Sequence, residues 1–110
     1  VRALDVLADP TRREIIELLA RKDMAASEVA ERFILTRSAV SQHLQILRAS
    51  GLIRMRRLGQ RRIYSLNLAA FEEIEAWLAE CRRIWRASHQ VAAGEDRAAV
   101  ETRPAAGAAS

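Results

Sequence analysis

The chain has 110 residues, 50% apolar but only 5% aromatic, with a net charge of +4 and one cysteine. That composition fits one domain with a core of Leu, Ile, Val and Ala, and it excludes a disulfide-built scaffold. No apolar run approaches the ~18–20 residues of a membrane span and no leader resembles a signal peptide, so a reducing cytoplasm without membrane contact is expected.

Residues 3–8, which include Leu4 and Leu7, form a short apolar helical segment. The run "DPTRREIIELLARK" then opens a helix. Asp9 can cap it, Pro10 suits its first position, and Thr11 with Glu14 has capping-box spacing. Ile15, Ile16, Leu18 and Leu19 supply its inner stripe. A third helix is predicted over 27–33, "SEVAERF", with Val29, Ala30 and Phe33 inward. After "FILT", Thr36 is a good N-cap for a helix over 37–49, and Gly51 stands where a left-handed residue ends it.

The segments "LIRMRR" and "RRIYSL" flank "LGQ" and predict a hairpin around Gly59. Ile53, Met55, Ile63, Tyr64 and Leu66 are its packing residues. Asn67 is placed to cap a last helix, roughly 68–89, in which Phe71, Ile74, Leu78, Cys81 and Trp85 recur at helical spacing. Residues 91–110 contain no Leu, Ile or aromatic residue, and a disordered Ala-rich tail is expected there after a domain spanning 1–90. The fold class is therefore mainly α with a small β-hairpin, in the order α-α-α-α-β-β-α: a winged helix-turn-helix.

Charge is segregated along this order. Between Arg32 and Phe71 there are eight arginines and no Asp or Glu. A field of one sign over consecutive elements favours an anionic partner, and double-stranded DNA fits the fold. On the 37–49 helix, Val40, Leu44 and Leu47 form one stripe at about 100° per residue. Arg37, Ser38, Ser41, Gln42, Gln45 and Arg48 fill the opposite side. Ser and Gln hydrogen-bond base edges at short range, and Arg reads guanine, so this side is expected to face the major groove. His43 lies beside the apolar stripe, where it either donates to a phosphate or packs at the helix edge. In the hairpin, Arg57, Arg61 and Arg62 lie nearest the turn and are the expected DNA-backbone contacts, with Arg54 and Arg56 weaker candidates.

The stretches "LADPTRREIIELLA", "SEVAERF" and "TRSAVSQHLQILRASGLIRMRRLGQRRIYSL" resemble the ArsR/SmtB family of bacterial winged-helix transcriptional repressors over residues 3–89. The resemblance implies a homodimer built through the first and last helices, bound to an inverted-repeat operator and released by an effector that the sequence leaves unknown. It places base reading on Arg37, Ser38, Ser41 and Gln42; from helix position and the basic hairpin, Thr36, His43, Arg48, Arg57, Arg61 and Arg62 are the expected backbone or wing contacts. Leu4, Leu7, Phe71, Ile74, Leu78, Cys81 and Trp85 are the expected dimer contacts. The alternatives are a sequence-tolerant architectural DNA binder and a module that docks a partner helix on the 71–88 stripe.

Many members of that family sense metals, through cysteine pairs on the third helix or Asp/His sets on the last. This sequence departs from both patterns. "SEVAERF" has no cysteine, and Cys81 and His89 are a little over two turns apart, ~12 Å along the helix. No metal or cofactor is expected, and Cys81 is read as a buried, inert thiol. Trp77 and Trp85 read as packing residues rather than a ligand pocket. Two histidines, one cysteine and no Gly-rich phosphate loop assemble no nucleophile with its base, so no enzyme is expected.

Overall fold

A computed structural model describes residues 2–90; the predicted 91–110 tail lies outside the described residues. The elements are α1 (Arg2–Val6), α2 (Pro10–Arg21), β1 (Met24–Ala25), α3 (Ala26–Ala30), α4 (Arg37–Ala49), β2 (Ile53–Leu58), β3 (Arg61–Leu66) and α5 (Leu68–Ser88). They fall into two compact units, the first ending at Glu72 and the second starting at Glu73, within α5.

In the first unit, Ile15 and Leu19 of α2, Val29 of α3, and Val40, Leu44 and Leu47 of α4 are buried with Leu52, Ile53, Ile63 and Tyr64. Each fully buried aliphatic side chain contributes about 1.5–3 kcal/mol, so the α4 stripe alone fixes that helix to the domain. Leu18, Ala30 and Phe33 are half-buried. The start of α2 is tied back to α1. Arg12 Nε donates to the Val6 carbonyl at 2.7 Å, and Arg13 Nη1 to the Leu7 and Ala8 carbonyls at 2.8 and 3.1 Å.

The sheet has three strands in the order β1-β3-β2, all antiparallel. β1 is an addition to the predicted hairpin: Met24 pairs with Tyr64 and Ala25 with Ile63. Two residues carry no period-2 pattern, so the strand exists only through its non-local partner. Its cost to prediction falls on α3, which starts at Ala26 and ends at Ala30 rather than spanning 27–33. Phe33 then lies in the following bend.

The caps sharpen three expectations. Asp9 is the N-cap of α2, its carboxylate accepting the Arg12 amide at 3.0 Å, so Glu14 falls two positions too late for a box with Thr11. Thr36 caps α4 through the Ala39 amide at 3.0 Å, as its spacing predicts. Asn67 directs its side-chain amide to the Gly51 carbonyl at 2.8 Å instead, joining the α5 start to the end of α4. Gly51 takes φ 85°, the left-handed geometry that lets Leu52 N–H return to the Leu47 carbonyl.

Asp9 and Glu28 both owe a lowered pKa chiefly to an accepted backbone hydrogen bond, from Arg12 and Ala25 respectively. A carboxyl lowered on folding stabilises the native state above its unfolded pKa, and that contribution disappears as pH falls through the folded value. Melting temperature should therefore drop below about pH 4. Asp9→Asn, which keeps a capping oxygen but no charge, should make that acid decline shallower in a melting series. An identical acid limb in the variant would show that this cap does not contribute.

Candidate nucleic-acid interface

α4 spans Arg37–Ala49 and buries only Val40, Leu44 and Leu47. Arg37, Ser38, Ser41, Gln42, Gln45 and Arg48 are all exposed on its other side, as is the capping Thr36. The helix carries no carboxylate, so nothing on it repels a phosphate. His43 is half-buried, and its Nδ1 is shielded without a hydrogen-bond partner among the described residues.

The wing is β2, β3 and the Gly59-Gln60 turn, with Leu58 paired to Arg61 and Gly59 at φ 65°. A glycine at the first position of a two-residue turn matches the right-handed twist of the flanking strands. Strand alternation separates the arginines into two sets. Arg54, Arg56 and Arg61 share one face, while Arg57 and Arg62 lie on the other, directly opposite each other in the register. Like charges placed opposite repel, and an anion lodged between them would relieve that repulsion.

Arg56 and Arg61 are already occupied. Arg56 Nη1 donates to Asp23 Oδ2 at 2.9 Å, and Arg61 Nη2 to Glu28 Oε1 at 3.0 Å. Arg54, Arg57 and Arg62 have no carboxylate within 4.0 Å among the described residues. Of the three turn-proximal arginines expected to meet DNA, Arg61 is thus the one tied to the protein's own acid. The sequence pattern hid this, because the acids precede the acid-free stretch and reach it only through tertiary structure.

Helix and wing meet around an open cleft of about 360 Å³, lined by Arg37 and Ser41 of α4, Arg61 and Arg62 of β3, Gln60 of the turn and Ser27 of α3. Four predicted residues converge here. Ser38, Gln42, Arg48 and Arg57 do not line the cleft; they are exposed on the helix and wing themselves. Gln60 and Ser27 escaped the sequence reading, although Gln60's place in a Gly turn between basic strands was a usable signal.

The expected dimer contacts divide by exposure. Leu7, Phe71 and Ile74 are half-buried, while Leu4, Leu78, Cys81 and Trp85 are exposed. Cys81 is therefore not the buried thiol expected, because α5 buries none of its residues within the chain. A family metal does not fit these residues. Among the described ones no three His, Cys, Asp or Glu side chains converge, and the His89 ring stacks on Trp85 at 4.5 Å with Nδ1 beside the Trp85 carbonyl. Among them, too, no helix is long and apolar enough to cross a membrane.

A carboxylate-free helix with a polar outer side, set next to an arginine-lined β-wing, defines a winged helix-turn-helix DNA-binding protein. The model of the "Bacterial regulatory protein, arsR family" matches residues 9–55. The chain is 39% identical to the transcriptional repressor SdpR of Bacillus subtilis over 72 residues, 66% of this chain and 80% of SdpR. It is 46% identical to the HTH-type transcriptional regulator Rv2034 of Mycobacterium tuberculosis over 66 residues, 60% and 62% of the two chains. A crystal structure of an ArsR family transcriptional regulator superposes with a TM-score of 0.73 at 34% identity, covering 77% of this chain and 93% of that one. The chain belongs to the ArsR family of DNA-binding transcriptional regulators, which are not enzymes.

Proposed function

We propose that this regulator is a cytoplasmic homodimeric repressor that reads an inverted-repeat operator with α4 and releases it on binding an effector. The observation that carries the reading is the convergence of Arg37, Ser41, Arg61 and Arg62 on one cleft between helix and wing. Arg37, Ser38, Ser41 and Gln42 take the base edges, while Thr36, His43, Arg48, Arg57, Arg61 and Arg62 take phosphates, Arg61 through the N–H donors that its pair with Glu28 leaves free. Two copies place their α4 helices in successive major grooves, about 34 Å apart. The dimer forms through the α5 stripe, with Leu4 and Leu7 of α1 as the second contact. SdpR's name as a repressor supports the direction of regulation.

Binding should weaken steeply with salt. Four or five phosphate contacts per subunit give a log–log slope of about −7 to −9 for the dimer. Titration of a labelled duplex at several salt concentrations reads that slope, and a value near zero would sink the electrostatic argument. Competition with bulk DNA separates the operator reader from an architectural binder, which would lose its labelled duplex to an equal mass of competitor.

A further inference from the structure

The wing is supported unevenly. β1 gives β3 only two residue pairs, at Ile63 and Tyr64, and nothing extends that ladder toward Gly59. Beyond Ile63 the hairpin is two-stranded, an arrangement that is marginal by itself. The two cross-element ion pairs stand where the support ends. Asp23, just before β1, takes Arg56, which lies opposite Ile63 in the register; Glu28, just after β1, takes Arg61, two residues nearer the tip. Both arginines lie on one face of the hairpin, and the opposed Arg57 and Arg62 lie on the other.

We propose that Asp23 and Glu28 are positioning residues for DNA recognition: they clamp one face of the wing to the β1–α3 corner so that Arg57 and Arg62 are held at a fixed angle to α4. Arg56 and Arg61 then serve the clamp more than the DNA. Glu28 is well suited because the same Oε1 also accepts the Ala25 amide at 2.9 Å, which anchors the carboxylate before the arginine arrives. Lys22 Nζ stands 3.9 Å from its other oxygen. Arg61 keeps further N–H donors free, and its side chain is 57% exposed, so it can touch a phosphate without leaving Glu28.

The sign of the effect separates this role from simple electrostatics. Removing two acids from a DNA-binding protein raises its positive charge and on that ground alone tightens binding to every duplex. Loss of a clamp acts the other way on the operator alone, because the wing's contacts there must then be ordered at binding.

The test is the pair Asp23→Asn and Glu28→Gln in the full chain, alone and combined. Gln keeps an acceptor for the Ala25 amide, so the start of α3 is preserved. The probes are a duplex enriched from a random library by the unmodified chain and an unselected duplex of equal length. The combined variant should lose about three- to tenfold of its preference for the enriched duplex, as expected for two exposed pairs. Its melting temperature should change little, and NMR order parameters of the 57–62 amides should fall in the DNA-free protein. Exchanging the charges, Asp23→Arg with Arg56→Asp, should restore part of the preference that Asp23→Asn loses.

Tighter binding to both duplexes by one common factor, or unchanged order parameters, would overturn the clamp. The inference rests on the operator-binding reading, but the two fail separately. An unmodified chain that enriches no duplex defeats that reading, whereas the order parameters test the clamp without DNA.

Discussion

Gln42→Ala should bind the enriched duplex at least about tenfold more weakly than the unmodified chain, because a bidentate Gln–adenine contact carries about 1–3 kcal/mol of discrimination. Gln42 is exposed on α4, away from the Val40/Leu44/Leu47 stripe, so truncating it removes no packing and should leave the melting temperature unchanged. Affinity for unselected DNA should change by less than about twofold, since a neutral side chain contributes nothing to counterion release. Ser41→Ala should behave alike with a smaller loss. Arg57→Ala is the contrast: it should weaken both duplexes together and flatten the salt dependence. Equal losses on the two duplexes for Gln42→Ala would remove that residue from base reading. Fluorescence anisotropy with both duplexes measured side by side reads the Gln42 and Ser41 variants at one fixed salt concentration, and a salt series reads the slope of Arg57→Ala.

That prediction was available from sequence because α4 is locally determined. Thr36 caps it, Gly51 ends it, and one apolar stripe orients it, so its boundaries and its outward side follow from spacing alone. The hairpin was legible for the same reason, with a glycine turn setting the register of two β-rich runs. What escaped was non-local. β1 is two residues whose only strand-like property is to pair with β3, and α3 is shorter than the predicted 27–33 because nothing in "SEVAERF" reveals where that pairing stops.

The same limit divides the arginines of the wing. Composition shows an acid-free stretch from Arg32 to Phe71, and from it all five hairpin arginines look available. The fold brings Asp23 and Glu28 across 33 residues of sequence to two of them. Cys81 shows the converse. Helical spacing puts it on an apolar stripe, and spacing cannot tell a stripe covered within the chain from one that the chain leaves exposed.

That exposed stripe gives the prediction with the largest effect. Leu78, Ile84, Trp77 and Trp85 of α5 are each about half exposed, and the chain buries none of the helix's residues. Both tryptophans of the chain lie on this helix. A run of large apolar side chains at helical spacing, left open to water, is the surface a second copy of the helix would cover. Leu78→Glu puts a carboxylate into the middle of it. Within one chain the change is nearly free, because Leu78 is already 46% exposed and Glu is a good helix former. In a dimer it places two carboxylates in an apolar contact, and charge buried without a partner is costly. The variant should sediment as a monomer at concentrations where the unmodified chain is a dimer, and its tryptophan emission should move to longer wavelength. Operator affinity should fall by about a thousandfold, because the second half-site loses the effective concentration that linkage to the first supplies. Binding to unselected DNA should fall far less, since each monomer keeps its own arginines. A monomeric unmodified chain, or a variant that remains a dimer, would show that α5 is not the contact.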